Sequence, residues 1–334
     1  MSNILGQDTP DYVSTGRLPD PYVVELLVHE AHKRFLVDTD GTVSGVYPAL
    51  QRVDPKLFGL CLVGTDGHVY TAGDVDHAFT IMSISKPFVF ALVCQAIGAS
   101  ACREKLGVNS TGLPFNSLSA IERMPDGRTN PMVNSGAIAT TSLVPGESAE
   151  AKWALILDGL STFAGRKLSV NEEVYASASA TNFRNRGIAN VLFSYGRLGC
   201  DAKTATDLYT RQCCLDINAR DLAVMGATLA DGGINPVTGE YVVANEVCHY
   251  TLAVMVTAGM YETSGDWLCD VGLPGKSGIG GGIVTVSPGK SGLGTFAPLL
   301  DAAGNSVKGQ LASRFLSRRL GMDMFVSEPF REHG

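Results

Sequence analysis

The chain has 334 residues, 45% of them apolar and 18% charged, which excludes a disordered or fibrous polypeptide and leaves length for one large domain or two smaller ones. Its 26 basic and 33 acidic residues give a formal charge of -7, and with no run of Lys or Arg this argues against nucleic acid as a partner. The longest apolar stretch, Phe88 to Ile97, is interrupted by Gln95 and is about half the length of a bilayer span, so no membrane partner is expected.

In chain order, the residues up to about Pro19 are polar loop formers, and MSNILGQDTPDY has neither the basic nor the apolar part of a secretory leader. YVVELLVHEAHKRF then places Val24, Leu27, Val28 and Ala31 at helical spacing. LFGLCLVGTDGHVYTAGD reads as two strands around an Asp66-Gly67 turn. Phe79 to Gly98 is apolar and helix-like, with Pro87 tolerable in a first turn. From about Ala99 to Tyr250, helical patterns such as WALILDGLSTFAG, ATDLYTRQCCL and ARDLAVMGATLADGG alternate with glycine turns, and no strong strand candidate stands out. The end returns to β-rich runs in GGIVTVSPGKSGLGTFAPLLDAAGN, joined by Pro288-Gly289, and closes on a helix in VKGQLASRFLSRRLG.

Strands at both ends with a helical block between predict one sheet assembled from both chain ends, helices packed on it and a helical insertion, an α/β (α+β) fold. We expect a single domain over 1–334, with a sheet region at about 20–80 plus 250–334 and a helical region at about 81–249. Eight cysteines, none in C-x-x-C spacing and most among apolar neighbours, are expected as buried thiols in a cytoplasmic protein.

Several sources of chemistry fall away. Gly275-Lys276-Ser277 and Gly289-Lys290-Ser291 end like phosphate loops, but Asp270 and Val284 stand where the leading glycine belongs. The repeated PGKSG has unmatched flanks and reads as coincidental turn chemistry. His29 and His32 share a helix face without a third ligand nearby, which favours an exposed polar face over a metal site. No G-x-S-x-G elbow is present.

Ser83-Ile84-Ser85-Lys86 remains. Residues three apart share a helix face, so Ser83 Oγ and Lys86 Nζ can meet at a helix start, where the dipole favours a developing oxyanion. The apolar run after Lys86 would lower its pKa and let it take the serine proton. The tetrapeptide alone is weak, because most copies of S-x-x-K are surface accidents. Far downstream, Lys276-Ser277-Gly278 precedes GIGGG, and a K-S/T-G element on an edge strand is what penicillin-recognising serine acyl-transferases pair with S-x-x-K.

FTIMSISKPF, TNPMVNSGAIA, RNRGIANVLFSYG, LYTRQCCL, DLAVMGATLADGGINPVTGE, AVMVTAGMYETSGDW and VGLPGKSGIGGGIVTVSPGK together resemble the serine-dependent glutaminases, from about residue 21 to residue 320. The resemblance implies a β-lactamase/transpeptidase-like fold, no metal or organic cofactor, a small-molecule amide substrate and a homodimer or homotetramer. It implies Ser83 as nucleophile, Lys86 as its proton-handling partner and Tyr261 as the general base or acid beside them. It also implies substrate contacts from Asn134, Asn185 and Tyr209, and an oxyanion hole from the N–H groups of Ser83 and Ile279, where the family usually has valine. Three positions depart from the family: Met82 replaces a glutamine before the nucleophile, Ala178 a glutamate for the substrate ammonium, and Val46 a tyrosine for its carboxylate, with Tyr47 next to it.

Three readings follow. The first is a glutaminase converting L-glutamine and water to L-glutamate and ammonia through a Ser83 acyl-enzyme, with Glu173 and Tyr47 as candidates for the missing contacts. The second keeps that mechanism for a less polar amide or related acyl compound, with Val46, Met82 and Ala178 lining one apolar pocket. The third, a non-catalytic binding protein, sits poorly with intact Ser83, Lys86 and Tyr261.

Overall fold

The computed structural model describes residues 16–326; the N-terminal segment MSNILGQDTPDY lies outside the described residues. The main sheet is antiparallel and five-stranded, and in spatial order it runs Val69–Gly73, Gly59–Gly64, Ser291–Phe296, Gly282–Ser287 and Gly275–Ser277. Strands near the two ends of the chain are therefore hydrogen-bonded neighbours, with Leu62 opposite Leu293. The first hairpin turns at Asp66-Gly67 with Val63 facing Val69, and the last turns at Pro288-Gly289 with Ser287 facing Ser291. The second PGKSG copy makes that turn, while the first runs into the edge strand Gly275–Ser277, so the repeat has no common structural meaning.

Both faces of the sheet are covered. Leu60, Leu62, Ile283 and Leu293 pack with Val24, Leu27, Val28 and Ala31 of the Pro21–Phe35 helix and with Ala312, Phe315 and Leu316 of the closing Val307–Arg319 helix. Cys61, Val63, Val284, Val286 and Phe296 face the other way, into the larger core. All six residues of Gly59–Gly64 are buried, so the strand reads as a continuous apolar run rather than an alternating one.

The helix Ala219–Ala230 lies directly on the strand Ser291–Phe296. A Cβ on Gly292 would overlap the Ala227 nitrogen, and one on Gly294 the Ala219 carbonyl, so glycine is what permits backbone-to-backbone approach. The start of this helix is fixed by a capping box between Asn218 and Asp221. Asp221, 3% exposed, also receives Arg166 Nε at 2.7 Å.

The middle of the chain corrects the expectation of helix alone. Phe79–Thr80, Leu215–Ile217 and Ser169–Val170 form a second, three-stranded sheet. Strands of two or three residues are too short for period-two alternation to register in the sequence. The apolar run from Phe79 is likewise not one helix: a strand and a single-turn 3-10 helix at Met82–Ile84 precede the α-helix Ser85–Ile97.

All eight cysteines are free thiols. Six are buried; against the expectation of burial, Cys269 is exposed and Cys200, which packs on the edge of the larger core, is half-buried. His32 stacks on Phe58 with its Nε2 at 3.1 Å from the Phe58 carbonyl, a packing role. Among the described residues no single helix is long and apolar enough to cross a membrane.

Candidate active site

Ser83 is held where the small sheet meets the central helix. Phe79–Thr80 pairs with Asp216 and Ile217, and the Ile81 N–H continues the pairing to the Leu215 carbonyl at 2.9 Å. Met82 then takes φ +48°, a left-handed conformation, and the chain reverses into the 3-10 turn that carries Ser83. Ser85 Oγ ties that turn down by donating to the Met82 carbonyl at 2.8 Å, and receives Gln212 Nε2 at 3.2 Å. Tyr261, at φ +58°, is the other non-glycine residue with positive φ among the described residues. Each such residue stores about 1–3 kcal/mol of strain that only a firm surrounding sustains.

Lys86 is 1% exposed, and its Nζ donates to Asn134 Oδ1 at 2.8 Å and to the Met132 carbonyl at 3.1 Å. Neither acceptor is charged, and burial pulls the amine from its ordinary 10.5 down to about 7. Ser83 lies in the 3-10 turn ahead of the helix that carries Lys86, and the hydrogen bonds described for the amine run to Asn134 and Met132. Tyr261 stands close enough to Ser83 to feel its hydroxyl: burial raises its pKa to about 12 against the lowering effect of Ser83 and Ser277. Its hydroxyl donates to the Ser277 carbonyl at 3.2 Å, and its ring packs on Phe115 with centroids 4.7 Å apart.

Lys276 completes the cluster from the edge strand. Its Nζ lies 4.0 Å from the Tyr261 ring centroid and donates to the Gly259 and Ser277 carbonyls at 2.8 Å each. Burial first, and the nearby Lys86 second, depress its pKa well below the ordinary lysine value. The arrangement offers a hydroxyl nucleophile, a phenol and two amines that burial makes easier to deprotonate.

Ser83 opens on a cavity of about 140 Å³. Its wall includes Ser83 with Asn134, Asn185, Tyr209 and Ile279, and also Val46, Met82 and Ala178. Every substrate-side residue expected from the sequence thus lies on one surface. Asn134 is the hub: its Oδ1 accepts from Lys86 and from the Tyr209 hydroxyl at 3.2 Å, and its Nδ2 donates to Asn185 Oδ1 at 2.9 Å. The turn bonds at Met82–Ile84 run from the Ile84 and Ser85 amides, leaving the Ser83 amide outside them. The Ile279 amide has no backbone acceptor among the described residues.

Of the two candidates for the missing contacts, Tyr47 lines this cavity and Glu173 does not. Glu173 forms an ion pair with Arg52 in a neighbouring cavity of about 250 Å³, which shares Ile279 but not Ser83. Arg184, Phe115 and Cys213 also line the Ser83 cavity and were not singled out from the sequence. Of these only Arg184 adjoins a residue the sequence points to, Asn185 in RNR. Among the described residues no group of three or more His, Cys, Asp or Glu side chains is arranged to hold a metal ion.

Comparison with known proteins fits this geometry. The glutaminase family model matches residues 41–325. Glutaminase 2 of Yersinia pestis is 76% identical over 322 residues, covering 96% of this chain and 95% of its own. The glutaminase of Colwellia psychrerythraea is 45% identical over 307 residues, 92% of this chain and 99% of its own. Among solved structures, a probable glutaminase superposes with TM-score 0.91 at 43% identity, covering 92% of this chain and 100% of that one. A probable glutaminase from Bacillus subtilis, solved with 6-diazo-5-oxo-L-norleucine, gives TM-score 0.83 at 30% identity, covering 90% and 97%. These neighbours carry the β-lactamase-like fold expected from the sequence. The chain belongs to the glutaminase family.

Proposed function

We propose that the chain is a serine-dependent amidohydrolase of glutaminase type, converting L-glutamine and water to L-glutamate and ammonia through an acyl-enzyme on Ser83. The observation that carries this reading is Ser83 on the wall of a cavity lined by amide and hydroxyl groups, with the buried amine of Lys86 hydrogen-bonded to Asn134 on that same wall and Tyr261 beside the serine.

In the mechanism this supports, Tyr261 takes the Ser83 proton as Oγ attacks the terminal carboxamide, and neutral Lys86 supports the transfer through the network centred on Asn134. The Ser83 and Ile279 amides face the oxyanion, a service typically worth about 10²–10³ in rate per donor. The proton passes to the leaving nitrogen, ammonia departs, and water releases glutamate by the same relay. Asn134, Asn185 and Tyr209 hold the substrate.

Two further features accompany this reading. The exposed Phe183 and Phe193 on the Phe183–Ser194 helix supply apolar surface for a homo-oligomer. Eight free thiols suit a reducing compartment such as the cytoplasm. The test of the central reading is ammonia release from L-glutamine at millimolar concentration. Turnover abolished by Ser83→Ala supports it, and turnover that survives the substitution overturns it.

A further inference from the structure

The cavity beside Ser83 is uneven in its charge. Its buried wall presents neutral donors and acceptors from Asn134, Asn185 and Tyr209, together with the alkyl side chains of Met82 and Ala178, which are 2% and 1% exposed. Toward the mouth stands half-exposed Val46, and the ionised side chain on the described lining is Arg184. The Arg184 Nε donates to the Asn116 carbonyl at 2.9 Å, a neutral partner that fixes the guanidinium on the cavity wall and leaves its charge uncompensated.

This distribution treats the two ends of an amino acid differently. A carboxylate entering the cavity meets a guanidinium, the partner best matched to it in shape and charge. An ammonium must shed water among alkyl groups and neutral amides while facing a charge of its own sign, with no carboxylate on the described lining to compensate. Glu173, the nearest candidate by sequence, is engaged by Arg52 in the other cavity. At about 140 Å³ the cavity is also well below the roughly 300–1,000 Å³ of sites for drug-sized ligands, so it suits a short acyl chain rather than a peptide.

We propose that the preferred substrate is the terminal monoamide of a short dicarboxylate whose α-carbon carries no ammonium, a glutaramate-like compound, with Arg184 binding the free carboxylate. This rests on the acyl-serine reading above and refines its substrate class. The chemistry balances in the same way. Ser83 Oγ forms an ester as the C–N bond breaks, the serine proton leaves on ammonia, and water then cleaves the ester to give the dicarboxylate and restore the hydroxyl. L-Glutamine remains a substrate, slowed by its ammonium.

The experiment compares kcat/KM for ammonia release from glutaramate, L-glutamine and pentanamide with the full-length protein, its Ser83→Ala form as the blank. Glutaramate is expected to exceed L-glutamine by at least about tenfold, equivalent to about 1.4 kcal/mol. Arg184→Gln should raise KM for glutaramate with little change in kcat, erasing its advantage over pentanamide. Ala178→Glu should shift the ratio toward L-glutamine; the wild-type ratio decides the matter even where that variant fails to fold. L-Glutamine turned over as well as or better than glutaramate overturns the substrate proposal and leaves the amidohydrolase reading standing. Hydrolysis of none of the three amides, or hydrolysis that survives Ser83→Ala, overturns both.

Discussion

Lys86 Nζ and Asn134 Oδ1 lie 2.8 Å apart in a site where both side chains are buried. That contact joins the proposed proton-handling amine to a side chain proposed to hold substrate, so binding and proton transfer share one hydrogen-bond network. Asn134 is neutral, which matters: it orders the amine without holding a proton on it.

The first prediction concerns pH. With Lys86 drawn down to about 7, activity should fall on an acidic limb with an apparent midpoint near that value, because the protonated amine cannot assist the serine. Asn134→Asp would put a carboxylate against Lys86, favour the cation and move the limb to higher pH, a shift that a pH–rate profile reads directly. Stability carries the same signature. Between about 7 and 10.5 the unfolded chain holds a proton on Lys86 that the folded chain lacks, so stability should rise with pH across that window, by up to roughly 1.4 kcal/mol per pH unit from this group. The burial penalty is fully in force below the window. Lys86→Met should flatten the slope in chemical denaturation and abolish turnover; Lys276, depressed for the same reason, leaves a residual slope of the same sign.

Tyr261→Phe separates the phenol from its ring. The ring contacts with Phe115 and Lys276 survive, while the hydrogen bond to the Ser277 carbonyl and the contact with Ser83 are lost. We expect kcat to drop by about 10²–10⁴-fold, the usual size of a general acid–base contribution. Stability should change by only about 0.5–1.5 kcal/mol, the value of one hydrogen bond. A variant that unfolds instead would assign Tyr261 to structure.

The seat of the Ala219–Ala230 helix makes a stability prediction independent of chemistry. Gly294→Ala drives a methyl group into the Ala219 carbonyl and Ala223 nitrogen, backbone atoms that cannot swing aside. A loss of about 3 kcal/mol or more is expected in urea unfolding, at the upper end of overpacking costs. Gly265→Ala is the control: it lies exposed in the Ser264–Val271 helix with nothing near its Cβ, and should gain about 0.5–1 kcal/mol.

The legible parts of the sequence were those with a strong local period. The Pro21–Phe35 helix shows its stripe of Val24, Leu27, Val28 and Ala31, and the Gly282–Ser287 and Ser291–Phe296 strands are bounded by unmistakable turn residues. Leu215–Ile217 was not legible, because three residues carry no period and their partners at Phe79–Thr80 and Ser169–Val170 are distant in sequence. The site divides in the same way. Ser83 and Lys86 announce themselves by spacing, and burial around Lys86 follows from the apolar run after it. The amine's actual partners, Met132 and Asn134, are a tertiary matter that spacing does not encode, as are the left-handed conformations of Met82 and Tyr261. Arg184 is not legible in the sequence, because an exposed arginine beside an asparagine has no local pattern to mark it as part of a cavity wall.

The most direct test of the acyl-serine account is to divert its intermediate. With L-glutamine as substrate and hydroxylamine as competing nucleophile, the protein should form γ-glutamyl hydroxamate at the expense of glutamate while the rate of ammonia release holds or rises. Ser83→Ala protein should form neither product above background. Ammonia released with no hydroxamate at saturating hydroxylamine, or hydroxamate formed equally by the Ser83→Ala protein, would contradict an acyl-enzyme on Ser83.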